Sequence, residues 1–142
     1  MRCVLAMLLL GGAAIALAGC GGDEDKPGLD INGCKIQPNT VCQKADLTGA
    51  DLSGSDLTGA DLTGANLTES NLTDVNLTGA NLSRARIVDA SLEDANLTRA
   101  DLTNATIERT DLGAATLCDT IRPDGTTDDS DCSASGGSGT MG

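Results

Sequence analysis

The chain has 142 residues, 9 of them basic and 21 acidic, for a formal net charge of −12, and it contains no Phe, Trp, Tyr or His. Without aromatic side chains a conventional packed core of this size lacks its largest contributors of buried area. The absence of His removes the commonest general base, proton shuttle and metal ligand together, and the acidic balance disfavours nucleic acid and anionic headgroups while favouring basic partners.

The amino end opens with Met1-Arg2-Cys3, and an apolar run follows from Val4 to Ala18. That run is too short for a membrane-spanning helix and matches the apolar region of a signal peptide. It ends in Leu17-Ala18-Gly19-Cys20, which resembles the lipobox of bacterial lipoproteins. The resemblance implies removal of residues 1–19, diacylglycerol on the Cys20 thiol and an acyl chain such as palmitate on the new amino terminus. Residues 20–33 begin with Cys20 and continue through Gly21-Gly22-Asp23-Glu24-Asp25-Lys26-Pro27-Gly28, polar and without apolar period. They read as a lipidated flexible tether.

From Ala45 the chain becomes strictly periodic. Residues 45–119 form 15 units of five without insertion, beginning Ala45-Asp46-Leu47-Thr48-Gly49 and ending Ala115-Thr116-Leu117-Cys118-Asp119. The central residue is Leu throughout, except for Ile87 and Ile107. Two places earlier stands Ala, replaced only by Ser55, Ser70, Val75 and Thr110. A period of five scatters the Leu side chains around an α-helix and alternates them across a straight strand. Ala and Leu nevertheless share a face within each unit. Both facts are met if each unit is one side of a polygon and the chain turns the same way after each. The Gly residues that end early units (49, 54, 59, 64 and 79) suit such turns.

The A(D/N)LXX signature resembles that of the pentapeptide-repeat family. The resemblance implies an all-β fold, a right-handed four-sided parallel β-helix with about twenty residues per coil. Thr40-Val41-Cys42-Gln43-Lys44 keeps the register with Cys42 at the central position, giving about four coils. At a strand-like spacing the solenoid is roughly 19 Å long, so Cys42 and Cys118 lie too far apart to bridge. The expected disulfides are therefore Cys34–Cys42 and Cys118–Cys132, in a compartment that permits them. They would fix an amino-terminal cap (34–44) and a carboxyl-terminal cap (120–132) over the ends of the stack, and residues 133–142 read as a disordered tail. Residues twenty apart would stack. Asp46, Asp51, Asp56 and Asp61 then lie beneath Asn66, Asn71, Asn76 and Asn81, an order that separates carboxylates and permits amide-to-carboxylate bonds. Thr58, Thr78 and Thr98 form a similar ladder.

No catalytic constellation appears, and no cofactor or metal site is expected. There is no His, every Lys (26, 35 and 44) precedes the periodic segment, and the carboxylates recur as solvated repeat positions. Asp124, Asp128, Asp129 and Asp131 offer oxygens for Ca²⁺ in a spacing that matches no loop motif, and read as a solvated loop. The Asn-Leu-Thr triplets at 66–68, 71–73 and 76–78 follow from the repeat itself. Arg84, Arg86, Arg99 and Arg109 give the later coils a more basic character, read as scattered solvated charge. The expected function is a non-catalytic structural or protein-interaction module. It would be held to a membrane of the bacterial cell envelope by the Cys20 lipid, facing the periplasm or the exterior, with an envelope protein partner or a second copy and no nucleic acid. The family resemblance implies one alternative, mimicry of DNA toward DNA gyrase, which the export signal opposes.

Overall fold

Five-residue units repeat here because one unit satisfies all its own backbone donors. In the unit 60–64, Ala60 N–H closes a turn on Leu57 O at 3.0 Å, and Asp61 N–H donates to Thr40 O of the preceding coil at 2.8 Å. Leu62 and Gly64 N–H donate at 2.8 Å to Asn81 O and Ser83 O of the following coil. The fifth donor, Thr63 N–H, goes to the Asp61 side chain at 3.1 Å. No N–H of this unit is orphaned, so the chain can wind with few residues in extended strands.

A computed structural model of the chain describes residues 29–132. The segment 1–19 expected as a signal peptide, Cys20 expected to carry lipid, the first part of the expected tether and the expected tail 133–142 lie outside the described residues. The backbone forms a right-handed, four-sided parallel β-helix in which bridges join residues twenty apart. Bridge columns define the faces. Face 1 carries Val41, Asp61, Asn81, Asp101 and Ile121, and face 2 carries Asp46, Asn66, Arg86 and Thr106. Face 3 carries Asp51, Asn71 and Ser91, and face 4 carries Asp56, Asn76, Asn96 and Thr116. An amino-terminal hairpin pairs β1 (Asp30–Ile31) with β2 (Cys34–Lys35). On face 2 the inter-coil pairing lengthens into two three-residue strands, β3 (Arg86–Val88) and β4 (Thr106–Glu108).

The core is a column of central residues flanked by Ala. Leu47, Leu52, Leu57, Leu62, Leu67, Leu72, Leu77, Leu82 and Leu102 are each fully buried. From Asn39 to Asp119 every fifth residue turns the corner in the left-handed region, with φ between 49° and 68°, save one. Gly49 and Gly79 do this without a Cβ penalty, whereas Glu69, Arg84 and Arg99 do it against one. The exception is Ala114.

At that exception the periodic reading needs correction. The sequence runs in register to 119, but Leu112–Ala114 forms a 3₁₀ turn capped by Asp111, whose side chain accepts from Gly113 N–H. Ser91 consequently has no bridge partner at 111, and Leu112 is only partly buried. Pairing resumes at once, with Leu97 N–H on Thr116 O at 3.0 Å. Ala is a poor left-handed residue, and no other corner from 39 to 119 demands it of Ala.

The ends also differ from their expected bounds. Residues 30–35 form the β1–β2 hairpin, so the described end of the 20–33 segment belongs to the cap and not to a tether. Asn32 and Gly33, both at positive φ, make its tight turn. At the other end the parallel ladder continues past 119: Leu102 N–H donates to Ile121 O and Asn104 N–H to Pro123 O. Only then does the chain fold back, pairing β5 (Thr120–Ile121) with β6 (Thr127–Asp128). Cys34 bonds Cys42, and Cys118 bonds Cys132, which is the expected pairing. Among the described residues no helix is long and apolar enough to cross a membrane.

Candidate interaction surface

The residue before each Leu is more than a solvated ornament. In the first coil the Oδ1 atoms of Asp46, Asp51, Asp56 and Asp61 each accept the backbone N–H two residues on at 3.0–3.2 Å. Each also accepts the Thr or Ser hydroxyl of that same residue at 2.6–2.7 Å. Asn66, Asn71 and Asn76 take the backbone N–H in the same way with their amide oxygens. Asp and Asn place an acceptor at that reach, which explains the residue choice at this position. The Thr48 bonds hold the Asp46 carboxyl below its ordinary range; the Thr63 hydroxyl, then Gln43, does the same for Asp61. These two outer carboxylates therefore stay ionised further into acid than a free aspartate.

The expected Asn-over-Asp contact is made where Asn71 Nδ2 donates to Asp51 Oδ1 at 3.2 Å. Asn66 instead donates to the Thr48 hydroxyl at 2.8 Å, one atom removed from Asp46.

Winding the repeats onto four faces sorts the charges in a way the linear sequence hides. Face 3 presents Asp51, Asp74, Glu93, Asp94 and Asp111, all exposed, and its units contain no Lys or Arg. The four arginines of the later coils fall on different sides: Arg84 on face 1, Arg86 and Arg109 on face 2, and Arg99 on face 4. Arg109 is held by Asp89, Nε to Oδ1 at 2.5 Å and a second nitrogen to Oδ2 at 2.6 Å. That guanidinium holds the Asp89 carboxyl below its ordinary range.

The acidic residues of the carboxyl-terminal cap serve the backbone and Arg122. Asp124 accepts from Thr126 N–H and hydroxyl, and Asp131 Oδ2 accepts Leu117 N–H at 3.0 Å. Asp128, buried, accepts Ser130 N–H at 3.0 Å and pairs with Arg122, which stands where the repeat would place Leu. Its carboxyl is pulled down to about 2, first by Ser130 and then by Arg122. Among the described residues the one grouping of metal-type ligands is Cys118, Asp119 and Cys132, and its two sulfurs are joined to each other.

Beside the 3₁₀ turn is an open notch lined by Asp89, Ala90, Ser91, Leu92, Glu93, Asp111 and Ala114. It brings the Ser91 hydroxyl, 3.2 Å from the Thr73 hydroxyl, together with the carboxylates of Asp89, Glu93 and Asp111.

Comparison with known proteins agrees with this geometry. A family model described as pentapeptide repeats matches residues 40–79 and 80–118, in 8 copies. HetL, a pentapeptide repeat protein involved in heterocyst differentiation regulation in the cyanobacterium Nostoc sp. strain PCC 7120, is 34% identical with a TM-score of 0.52. The match covers 62% of this chain and 43% of HetL, so the chain spans less than half the length of that relative. A second pentapeptide repeat protein of Nostoc PCC 7120, alr5209, is 32% identical with a TM-score of 0.50, over 61% of this chain and 75% of its own. A search of the curated proteins returns no match. The repeat, the four-faced coil and the family match converge, and the chain belongs to the pentapeptide-repeat family.

Proposed function

We propose that this protein is a non-catalytic interaction module, held to a bacterial envelope membrane by lipid on Cys20 and presenting its flat faces to a protein partner. The observation that carries the interaction reading is face 3, where Asp74, Glu93, Asp94 and Asp111 are exposed on units that contain no Lys or Arg. A rigid wall of one charge sign selects and steers a basic partner.

Two features support the anchored, exported setting. Leu17-Ala18-Gly19-Cys20 closes the apolar run that begins at Val4. The Cys34–Cys42 and Cys118–Cys132 bridges suit an oxidising compartment and make no demand on Cys20. The same setting separates the protein from a cytoplasmic topoisomerase.

Intact mass spectrometry of the membrane fraction, for the full chain and for Cys20→Ser, tests the anchor. The expected mass lacks residues 1–19 and carries added lipid, and both changes vanish in Cys20→Ser. A soluble, unlipidated chain retaining residues 1–19 overturns the anchor and moves the DNA-mimic reading forward.

A further inference from the structure

The carboxyl-terminal cap closes only two of the four sides of the stack. Thr120–Ile121 continues face 1, and Asp131 meets face 4 through Leu117 N–H and O. Nothing among the described residues continues face 2 below β4. In the first face 2 unit three backbone groups engage the next coil: Ala45 O accepts Asn66 N–H, Leu47 N–H donates to Asn66 O, and Gly49 N–H donates to Thr68 O. The equivalent groups of the last unit are Ala105 O, Ile107 N–H and Arg109 N–H. Residues 125–129, which would continue this face, are drawn into the β5–β6 hairpin instead. Among the described residues these three groups have no partner.

The defect extends round the corner onto face 3. One coil earlier, Ser70 O accepts Ser91 N–H and Leu72 N–H donates to Ser91 O. With Leu112–Ala114 in its 3₁₀ turn, the equivalent Ala90 O and Leu92 N–H have no such partners among the described residues. Ile107 and Leu112, the last central residues of these two faces, are only partly covered. The corner therefore presents unpaired strand backbone and partly exposed apolar side chains together. Such an edge is a template for one more strand. The charge around it is mainly acidic: Asp89, Glu93, Glu108 and Asp111 against the guanidinium of Arg109, which Asp89 holds, and that of Arg86 one coil up on β3.

Resting on the interaction-module reading above, we propose that this corner is a strand-acceptor site for an extended, lysine- or arginine-bearing segment of a partner protein. The incoming backbone lies beneath β4, taking the Ile107 and Arg109 N–H groups and donating to Ala105 O. Its inward side chain covers Ile107, and its basic side chains meet Glu108 and Asp111. An acidic segment has the same backbone but meets repulsion, so charge supplies the selection.

The test uses the full chain purified from membranes in non-ionic detergent and a ten-residue peptide of alternating Lys and Val, with alternating Glu and Val as control. The Lys peptide is expected to bind and to slow amide exchange at Ile107 and Arg109; the Glu peptide is not. Glu108→Lys with Asp111→Lys, both exposed, should weaken binding by about tenfold or more, whereas Glu69→Lys, an exposed corner two coils above the edge, should leave it unchanged. Ile107→Pro, which removes one edge donor, should abolish the exchange signature, with circular dichroism confirming the fold. No binding, or equal loss with Glu69→Lys, overturns the site. Binding that Asp74→Lys weakens and Glu108→Lys with Asp111→Lys does not also overturns it, and leaves the acidic-face reading standing alone. Protection of the same amides that grows with protein concentration in the absence of peptide also overturns it, in favour of a second copy as occupant. None of these outcomes depends on the lipid, which the mass measurement reads separately.

Discussion

Asn76 Oδ1 accepts both the backbone N–H of Thr78, at 3.2 Å, and its hydroxyl, at 2.6 Å. This clamp occupies the donor of the unit that neither the inter-coil ladder nor the corner turn serves. Asn76→Ala is therefore expected to destabilise the fold by about 1 kcal/mol, and Thr78→Val by less, because the backbone bond persists. Asn76→Asp keeps Oδ1 and should remain within about 0.5 kcal/mol of the parent, all read from urea unfolding.

The central column should be sensitive to its position in the stack. Leu72 is fully buried between coils, and Leu72→Ala is expected to cost about 3–5 kcal/mol by leaving a cavity. Leu112 is only partly covered and sits in the 3₁₀ turn, so Leu112→Ala should cost about 1 kcal/mol or less. Equal losses at both positions would contradict a register break at 110–114.

Ala114 is the corner that fails to turn left-handed. Asn and Gly tolerate that conformation better than Ala. Ala114→Asn is expected to draw Asp111 and Leu112 back into register and to raise the melting temperature. The Leu92 amide, which has no partner among the described residues of the parent, should become protected from exchange. A lower melting temperature with no change at Leu92 would show that Gly113 or Thr110, not Ala114, sets the break.

The carboxyl-terminal cap should respond to acid. Asp128 has its pKa lowered to about 2 from an ordinary 3.8, through Ser130 and Arg122. A depressed carboxyl pKa stabilises the fold above the unfolded value and loses that contribution as pH falls through the folded one. Stability should thus decline between about pH 4 and pH 2. Asp128→Asn is expected to flatten that decline and to lower stability at neutral pH, followed by thermal melts across the range.

Each bridge closes a short loop, 8 residues in separation for Cys34–Cys42 and 14 for Cys118–Cys132. On loop-closure entropy the shorter is worth about 2.5 kcal/mol and the longer about 3 kcal/mol. Reduction should therefore lower the urea midpoint, and Cys118→Ser with Cys132→Ser should fray faces 1 and 4 at the carboxyl end before the centre of the stack, as amide exchange would resolve.

The family, the coil and the disulfide pairing were legible in the sequence, because a strict five-residue period admits few backbones and Leu47 through Leu117 mark the inward direction unit by unit. The proposed anchor at Cys20 rests on the sequence Leu17-Ala18-Gly19-Cys20 alone. What needed tertiary structure is the sorting of charges among the faces and whatever depends on the last coil having no successor. Along the chain Asp51, Asp74, Glu93, Asp94 and Asp111 are scattered among basic residues, and only winding separates the Lys and Arg positions from their face. Thr110 to Ala114 reads as one more unit, although an Ala where Gly, Asn, Asp or a charged residue otherwise stands was the available signal. Local preference writes the repeat; the end of the stack, where hydrogen bonds run out of partners, is decided by the neighbours each unit does or does not have.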